Sequence, residues 1–146
     1  MFFDDILVYN MSWEDRMTHL REVLIILQQH QLVVNQKKCT FVQQEVKYLG
    51  HIISARGVAV DPNKVKSVRE WPMPQNTKGV RGFLGQTGYY RKFIQDYGKR
   101  AKPLTELTKK GGFKWNSQAK GAFDWLKQQL STAPWYISAK HWRKEI

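Results

Sequence analysis

The chain changes its period at Asp61-Pro62. Before that point apolar residues cluster in short continuous runs such as Ile6-Leu7-Val8-Tyr9, Leu32-Val33-Val34 and Val58-Ala59-Val60. After it they recur mainly every three or four positions. A short apolar run bounded by turn residues reads as a strand, whereas recurrence at three and four marks one face of a helix. Asp61-Pro62 is itself a helix start: aspartate caps free amide groups, and proline fills the first helical position, where no amide donor is needed. The expected fold class is therefore α+β, with strands gathered around one helix in residues 1–60 and a helical lobe from residue 61 on.

Within the first part, the pattern predicts a helix from residue 13 to residue 30. Ser12 is its cap, and Asp15 suits the positive end of the helix dipole. Met17, Leu20, Leu24 and Leu27 form a stripe that Val23 and Ile26 widen. Strand candidates are Phe2 to Tyr9 as a hairpin around Asp4-Asp5, then 31–35, 40–42, 46–54 interrupted by Gly50, and 58–60 after a turn at Ala55-Arg56-Gly57.

Beyond Asp61 four helices are predicted. The first ends at Trp71-Pro72. The second is capped by Thr77 and carries the stripe Val80, Phe83, Leu84, Phe93, Ile94 and Tyr97. The third starts at Pro103, and the last is capped by Asn116 or Ser117 and stopped by Thr132-Ala133-Pro134. Gly79, Gly82, Gly85 and Gly88 punctuate the second helix, each costing about 1 kcal/mol of helix propensity relative to alanine. Tight packing or a break near Thr87-Gly88 accounts for them as well as close approach of a nucleic-acid groove does, and the sequence leaves both open.

Charge is unevenly placed. The 146 residues carry a formal net charge of +12. Residues 64–120 hold 14 basic and 3 acidic side chains, whereas residues 1–63 hold 6 and 7. A surplus concentrated in one segment points to a polyanionic partner. Cys39 is the single cysteine, so an intramolecular disulfide is excluded and a reducing compartment fits. His19, His30, His51 and His141 lack zinc-ligand spacing. No apolar run approaches the 18 residues of a membrane span, and Met1-Phe2-Phe3 lacks the basic flank of a signal peptide. The location expected is intracellular, with no membrane partner and no particular compartment indicated.

Asp4-Asp5 sits between an aromatic pair and an apolar run. Carboxylates that converge at a turn are the hard oxygen ligands Mg²⁺ or Mn²⁺ prefers, and two-metal phosphoryl transfer needs such a cluster. An acidic pair is also a common solvated turn, and a polymerase-type site needs a further carboxylate from another strand.

Taken in order, these pieces resemble the reverse transcriptase of gypsy-class LTR retrotransposons, over residues 2 to 134. Phe2-Phe3-Asp4-Asp5-Ile6-Leu7-Val8-Tyr9 looks like that family's catalytic hairpin, and His19-Leu20 through Lys38-Cys39 like the palm helix and strand after it. Tyr48-Leu49-Gly50-His51-Ile52-Ile53-Ser54 resembles the primer grip. Asp61-Pro62 to Trp71-Pro72, Arg81-Gly82-Phe83-Leu84-Gly85 and Tyr89-Tyr90-Arg91-Lys92-Phe93-Ile94 resemble the thumb. Pro103-Leu104-Thr105-Glu106-Leu107 and Phe113-Lys114-Trp115 to Leu126-Lys127 look like the entry to the connection region. Each motif is weak alone; the collinear succession is specific. After Pro134 the sequence departs from the family's continuation into an RNase H domain.

The resemblance implies three parts: a partial palm over 1–60 with the catalytic and primer-grip-like hairpins, a helical thumb over 61–110, and the start of a connection region with a divergent tail over 111–146. It implies a segment of an RNA-directed DNA polymerase whose strand bearing the first catalytic aspartate would precede residue 1. Asp4 and Asp5 would be the catalytic and metal ligands for Mg²⁺ or Mn²⁺, in an incomplete site. Leu49, Gly50 and His51 would hold the primer end. Arg81, Gly85 and Tyr89, spaced by four, would meet the template-primer duplex (RNA/DNA or DNA/DNA) with a cation, a bare backbone and a flat ring, and Arg91 and Lys92 would add phosphate contacts. Three functions follow: a duplex-binding segment without a complete polymerase site, a polymerase subunit active only when the missing palm half is supplied, or a basic interaction module without catalysis. Residues 1–9, left beside an uncovered edge, would also favour self-association.

Overall fold

Three four-residue strands make one antiparallel sheet in the order β1 (Glu45–Tyr48), β2 (His51–Ser54), β3 (Gly57–Val60). The computed structural model describes residues 5–10, 12–111, 113–132, 136–138 and 142. Val46 pairs with Ile53, and Ile53 in turn with Val58. Ile52, Ile53, Val58 and Ala59 are buried. Ile137 adds a bridge at the β3 edge, its amide and carbonyl each 2.9 Å from their partners on Val58. Gly57 makes that approach possible: at φ +123° it has the freedom only glycine has, and a Cβ there would collide with the Ile137 carbonyl.

Before the sheet lies α1 (Trp13–Gln29), where Ser12 Oγ accepts from the Asp15 amide at 3.1 Å as the sequence predicts. After it come α2 (Pro62–Arg69), α3 (Thr77–Tyr89), α4 (Tyr97–Glu106) and α5 (Ser117–Ser131). Asp61 caps α2 through the Asn63 amide at 2.9 Å, and Asn116 caps α5 through Ala119 at 2.8 Å. These four helices enclose one core around Val80, Phe83, Leu104 and Leu126, none of them measurably exposed. Phe83 meets Phe123 at 4.6 Å between ring centroids and Trp71 at 6.0 Å. Among the described residues, no helix is long and apolar enough to cross a membrane.

The α+β class holds, and several local expectations do not. Residues 31–35 and 40–42 are not strands: Gln31 and Val42 have φ of +57° and +59°, and a 3-10 turn, Gln36–Lys38, lies between the two segments. A strand is stable only against a neighbour, and among the described residues these runs have none. Ile6 to Tyr9 likewise form no strand, while Phe2, Phe3 and Asp4 lie outside the described residues. The expected interrupted strand 46–54 is a hairpin. Leu49 and Gly50, at φ +48° and +76°, form the two-residue turn between β1 and β2, the conformation whose twist matches paired strands.

The helical boundaries also shift. Asn76, not Thr77, caps α3, its Oδ1 accepting from the Gly79 amide at 2.8 Å. That helix ends at Tyr89; of the expected stripe beyond it, Phe93 falls in a 3-10 turn, Arg91–Phe93, Ile94 just after that turn, and Tyr97 opens α4. The third helix begins at Tyr97 rather than Pro103, with Pro103 inside it. Burial of Ala101, Leu104 and Leu107 outweighs the hydrogen bond that proline removes. Finally, the stripe on α1 is not covered by any of the described residues. No residue of that helix is buried, and Trp13, Leu24, Ile25 and Ile26 are exposed, as are Leu32, Val33, Phe41 and Val42 in the segment after it. Exposed apolar surface among the described residues thus extends well beyond Ile6.

Candidate nucleic-acid interface

The glycines of α3 separate into two kinds. A Cβ on Gly88 would stand 3.3 Å from the Tyr97 hydroxyl, one on Gly79 3.4 Å from Pro74, and one on Gly82 3.5 Å from Trp71. Packing is tightest at Gly88, whereas a Cβ on Gly79 or Gly82 would make ordinary van der Waals contact with its neighbour. A Cβ on Gly85 would meet nothing within 4 Å. Arg81, Gly85 and Tyr89 are all exposed, and a spacing of four keeps them on one side of the helix. This face therefore presents a cation, a stretch of bare backbone and an aromatic ring in succession. Arg81 Nη2 donates to the Thr108 carbonyl at 3.2 Å, which steadies the guanidinium and leaves its other donors for a ligand.

At the end of α3 the helix meets the β1–β2 turn. The Tyr89 hydroxyl donates to the Leu49 carbonyl at 2.7 Å, and the Tyr90 hydroxyl to the Gly50 carbonyl at 2.9 Å. Burial raises the pKa of both phenols, so each stays a neutral donor across the ordinary range. Leu49 is left partly exposed beside Tyr89. The structure thus brings Leu49, Gly50 and His51 to the same end of α3 as Tyr89. Tyr48 Oη donates to the Asp5 backbone carbonyl at 3.4 Å, which draws the N-terminal segment toward this hairpin.

His51 departs most from its expected role. It is buried, only 6% exposed, among the rings of Tyr89, Tyr90, Phe93 and Trp142, with centroids 5.3 to 5.9 Å away. It packs the hairpin against the helical lobe and does not face solvent. Its Nδ1 has no hydrogen-bond partner among the described residues. Burial pushes the imidazole pKa below 6.5; the backbone of Leu49 and Tyr48 opposes this, and the positive Lys92 adds to it. A depressed folded-state pKa means that the unfolded chain takes up the proton first. His51 therefore favours folding above pH 6.5, and that contribution is lost as the pH falls below it. Thermal melts should show lower stability at pH 5.5 than at pH 7.5, and His51→Phe should flatten that difference. An unchanged pH dependence in the variant would refute this role for His51.

Of the other expected contacts, Arg91 is exposed in the 3-10 turn, whereas Lys92 is half-buried with Nζ 3.4 Å from the Trp142 carbonyl. Tyr90 was not anticipated as a site residue. It belongs to the buried series Val80, Phe83, Thr87, Tyr90, Ile94, whose spacing was the signal available. The metal reading does not find support here. Asp5 is exposed, Asp4 lies outside the described residues, and among the described residues no three His, Cys, Asp or Glu side chains group as metal ligands. The described carboxylates do not fit a two-metal centre.

Comparison with known proteins gives a consistent picture. A family model described as reverse transcriptase (RNA-dependent DNA polymerase) matches residues 1–53. An Arabidopsis thaliana protein, the uncharacterized mitochondrial protein AtMg00860, is 52% identical over 120 residues, covering 81% of this chain and 76% of its own length. The retrovirus-related Pol polyprotein from transposon opus of Drosophila melanogaster is 45% identical over 109 residues, 75% of this chain and 11% of that protein. Among solved structures, the foamy viral protease-reverse transcriptase in complex with double-stranded DNA superposes with a TM-score of 0.72 at 22% identity, covering 89% of this chain and 23% of that one. The same enzyme with an RNA/DNA hybrid gives a TM-score of 0.69 at 21% identity, covering 89% and 18%. The chain thus spans about a tenth of that polyprotein and about a fifth of those structures.

Proposed function

The chain belongs to the family of the Arabidopsis protein AtMg00860 and carries a reverse-transcriptase segment of retrotransposon Pol type, and on that premise we propose that it binds nucleic-acid duplex without completing a polymerase site. In this reading residues 61–110 act as a thumb of the gypsy class, and the Leu49–Gly50 turn as its primer-grip-like neighbour. The observation that carries it is Gly85: a helix glycine with no protein neighbour, flanked on one exposed face by Arg81 and Tyr89. A bare backbone there costs helix propensity and serves no packing, but it admits a sugar-phosphate edge. The similar solved structures hold double-stranded DNA and RNA/DNA hybrid, which supports template-primer as the ligand class.

Gly85→Ala separates fold from function because its two effects have opposite sign. The methyl group meets no protein atom and improves helix propensity, so the variant should be more stable by up to about 1 kcal/mol. It also projects into the proposed contact and should weaken duplex binding severalfold. Melting curves and a fluorescent-duplex titration read the two effects side by side. A variant that is stabilised and binds as tightly as the parent removes this face from the interface.

The 146-residue chain by itself should not extend a primer with Mg²⁺ or Mn²⁺. Asp4 and Asp5 are one adjacent pair in the sequence, and two-metal transfer needs more carboxylates around the ions than one such pair supplies. Template-directed extension abolished by Asp4→Asn would overturn this and favour a polymerase subunit completed by a second chain.

A further inference from the structure

Tyr89 and Tyr90 are consecutive, yet both hydroxyls reach one two-residue turn forty positions earlier. Tyr89 Oη holds the Leu49 carbonyl and Tyr90 Oη the Gly50 carbonyl, which also accepts from the Asp61 amide at 3.1 Å. The two rings meet edge to face at 4.9 Å. The turn cannot easily move away from them. Leu49 is held at φ +48°, unfavourable for a branched side chain, and persists only where the surroundings over-determine it. Gly50 sits where a Cβ would stand 2.7 Å from the Tyr90 hydroxyl.

The two tyrosines differ in what remains free. Tyr89 is 55% exposed, so its ring can touch a ligand while its hydroxyl holds the turn; Tyr90 is 1% exposed and can act only through the turn. We propose that Tyr90, aided by the Tyr89 hydroxyl, is a positioning residue that fixes the Leu49–Gly50 turn against the Arg81–Gly85–Tyr89 face, so that turn and helix meet a duplex as one preorganised surface. The proposal rests on the duplex-binding reading. Preorganisation raises affinity by removing the ordering cost at the moment of binding. A loosened turn therefore weakens binding although Tyr90 touches no nucleic acid.

Tyr90→Phe tests it in the full chain, because the ring and its packing remain and only the hydroxyl is lost. Amide exchange of Asp61, whose N–H shares the Gly50 carbonyl, reports the turn without nucleic acid. Titration of a fluorescent primer-template duplex reports the surface. Tyr90→Phe is expected to speed Asp61 exchange and to weaken duplex binding about two- to tenfold, the range for one lost hydrogen bond. Leu49→Ala should cost affinity in the parent and much less in Tyr90→Phe, the non-additivity expected when both act through one turn. Unchanged Asp61 exchange overturns the clamp whether or not duplex binds. Faster exchange with unchanged affinity overturns its role in recognition and leaves the duplex reading standing. Strictly additive losses also overturn it. A parent chain that binds no duplex at low salt removes the reading, and the proposal with it.

Discussion

Raising the salt concentration from about 50 to about 200 mM is expected to cost this chain roughly three orders of magnitude in duplex affinity, the loss associated with about six phosphate contacts. The surplus of 11 positive charges in residues 64–120 is expected to supply those contacts. Each neutralised phosphate releases condensed counterions, so the logarithm of affinity falls linearly with the logarithm of salt, with a slope near −0.9 per contact. Arg81→Ala and Arg91→Ala should each weaken binding to all sequences alike and shallow that slope by about one unit. Lys92→Ala should behave differently: its ammonium already meets the Trp142 carbonyl and it is half-buried, so the change should disturb packing as well as charge. Salt-insensitive binding, or discrimination between unrelated duplexes, would show that the basic segment is not the contact surface.

The parts of this molecule legible in its sequence are those whose determinants are local. Asp61-Pro62 and Asn116 cap their helices in the structure because a cap needs only the next three residues. Ser12 does the same for α1, yet the stripe behind it is left open, because amphipathic spacing specifies a face and not what covers it. Residues 31–35 and 40–42 read as strands on composition, but a strand is a relation between two segments, and no described segment lies alongside them. The break after Tyr89 was concealed by the continuing stripe through Phe93 and Ile94, which a 3-10 turn serves as well as a helix.

The candidate interface divides along the same line. The spacing of four that unites Arg81, Gly85 and Tyr89 is visible in one dimension, and the structure places all three on an exposed face. Whether a helix glycine is packed or open is not visible. Gly79, Gly82 and Gly88 look like Gly85 in sequence and differ only in what stands beside them. His51 is a candidate primer contact through the resemblance of residues 48–54 to a primer grip, but its burial comes from four rings, three of them about forty residues away and the fourth at Trp142. The tyrosine clamp likewise joins positions 49 and 50 to 89 and 90, and no local pattern encodes such a pairing.

Phe83→Ala should be the most damaging single change in the helical lobe. Phe83 is not measurably exposed and stands between Trp71, which follows α2, and Phe123 of α5. Removing its ring leaves a cavity that three elements would have to close at once, and substitutions of this type cost about 3–5 kcal/mol. Domains of this size are stable by only about 5–15 kcal/mol in total. The loss should lower the melting temperature by roughly 10–20 °C, at a few degrees per kcal/mol, and a chain at the low end of the stability range would unfold outright. Tyr89→Ala is the matched control. It removes an aromatic of similar size from the exposed end of α3, so its cost should be smaller, limited to the hydrogen bond with Leu49 and the ring contacts with His51 and Tyr90. Because the proposed duplex-binding face is the outer side of the helix that Phe83 anchors, binding should be lost with the fold in Phe83→Ala, but weakened at unchanged helicity in Tyr89→Ala. Equal melting temperatures for the two variants would mean that Phe83 does not anchor α3 to its neighbours.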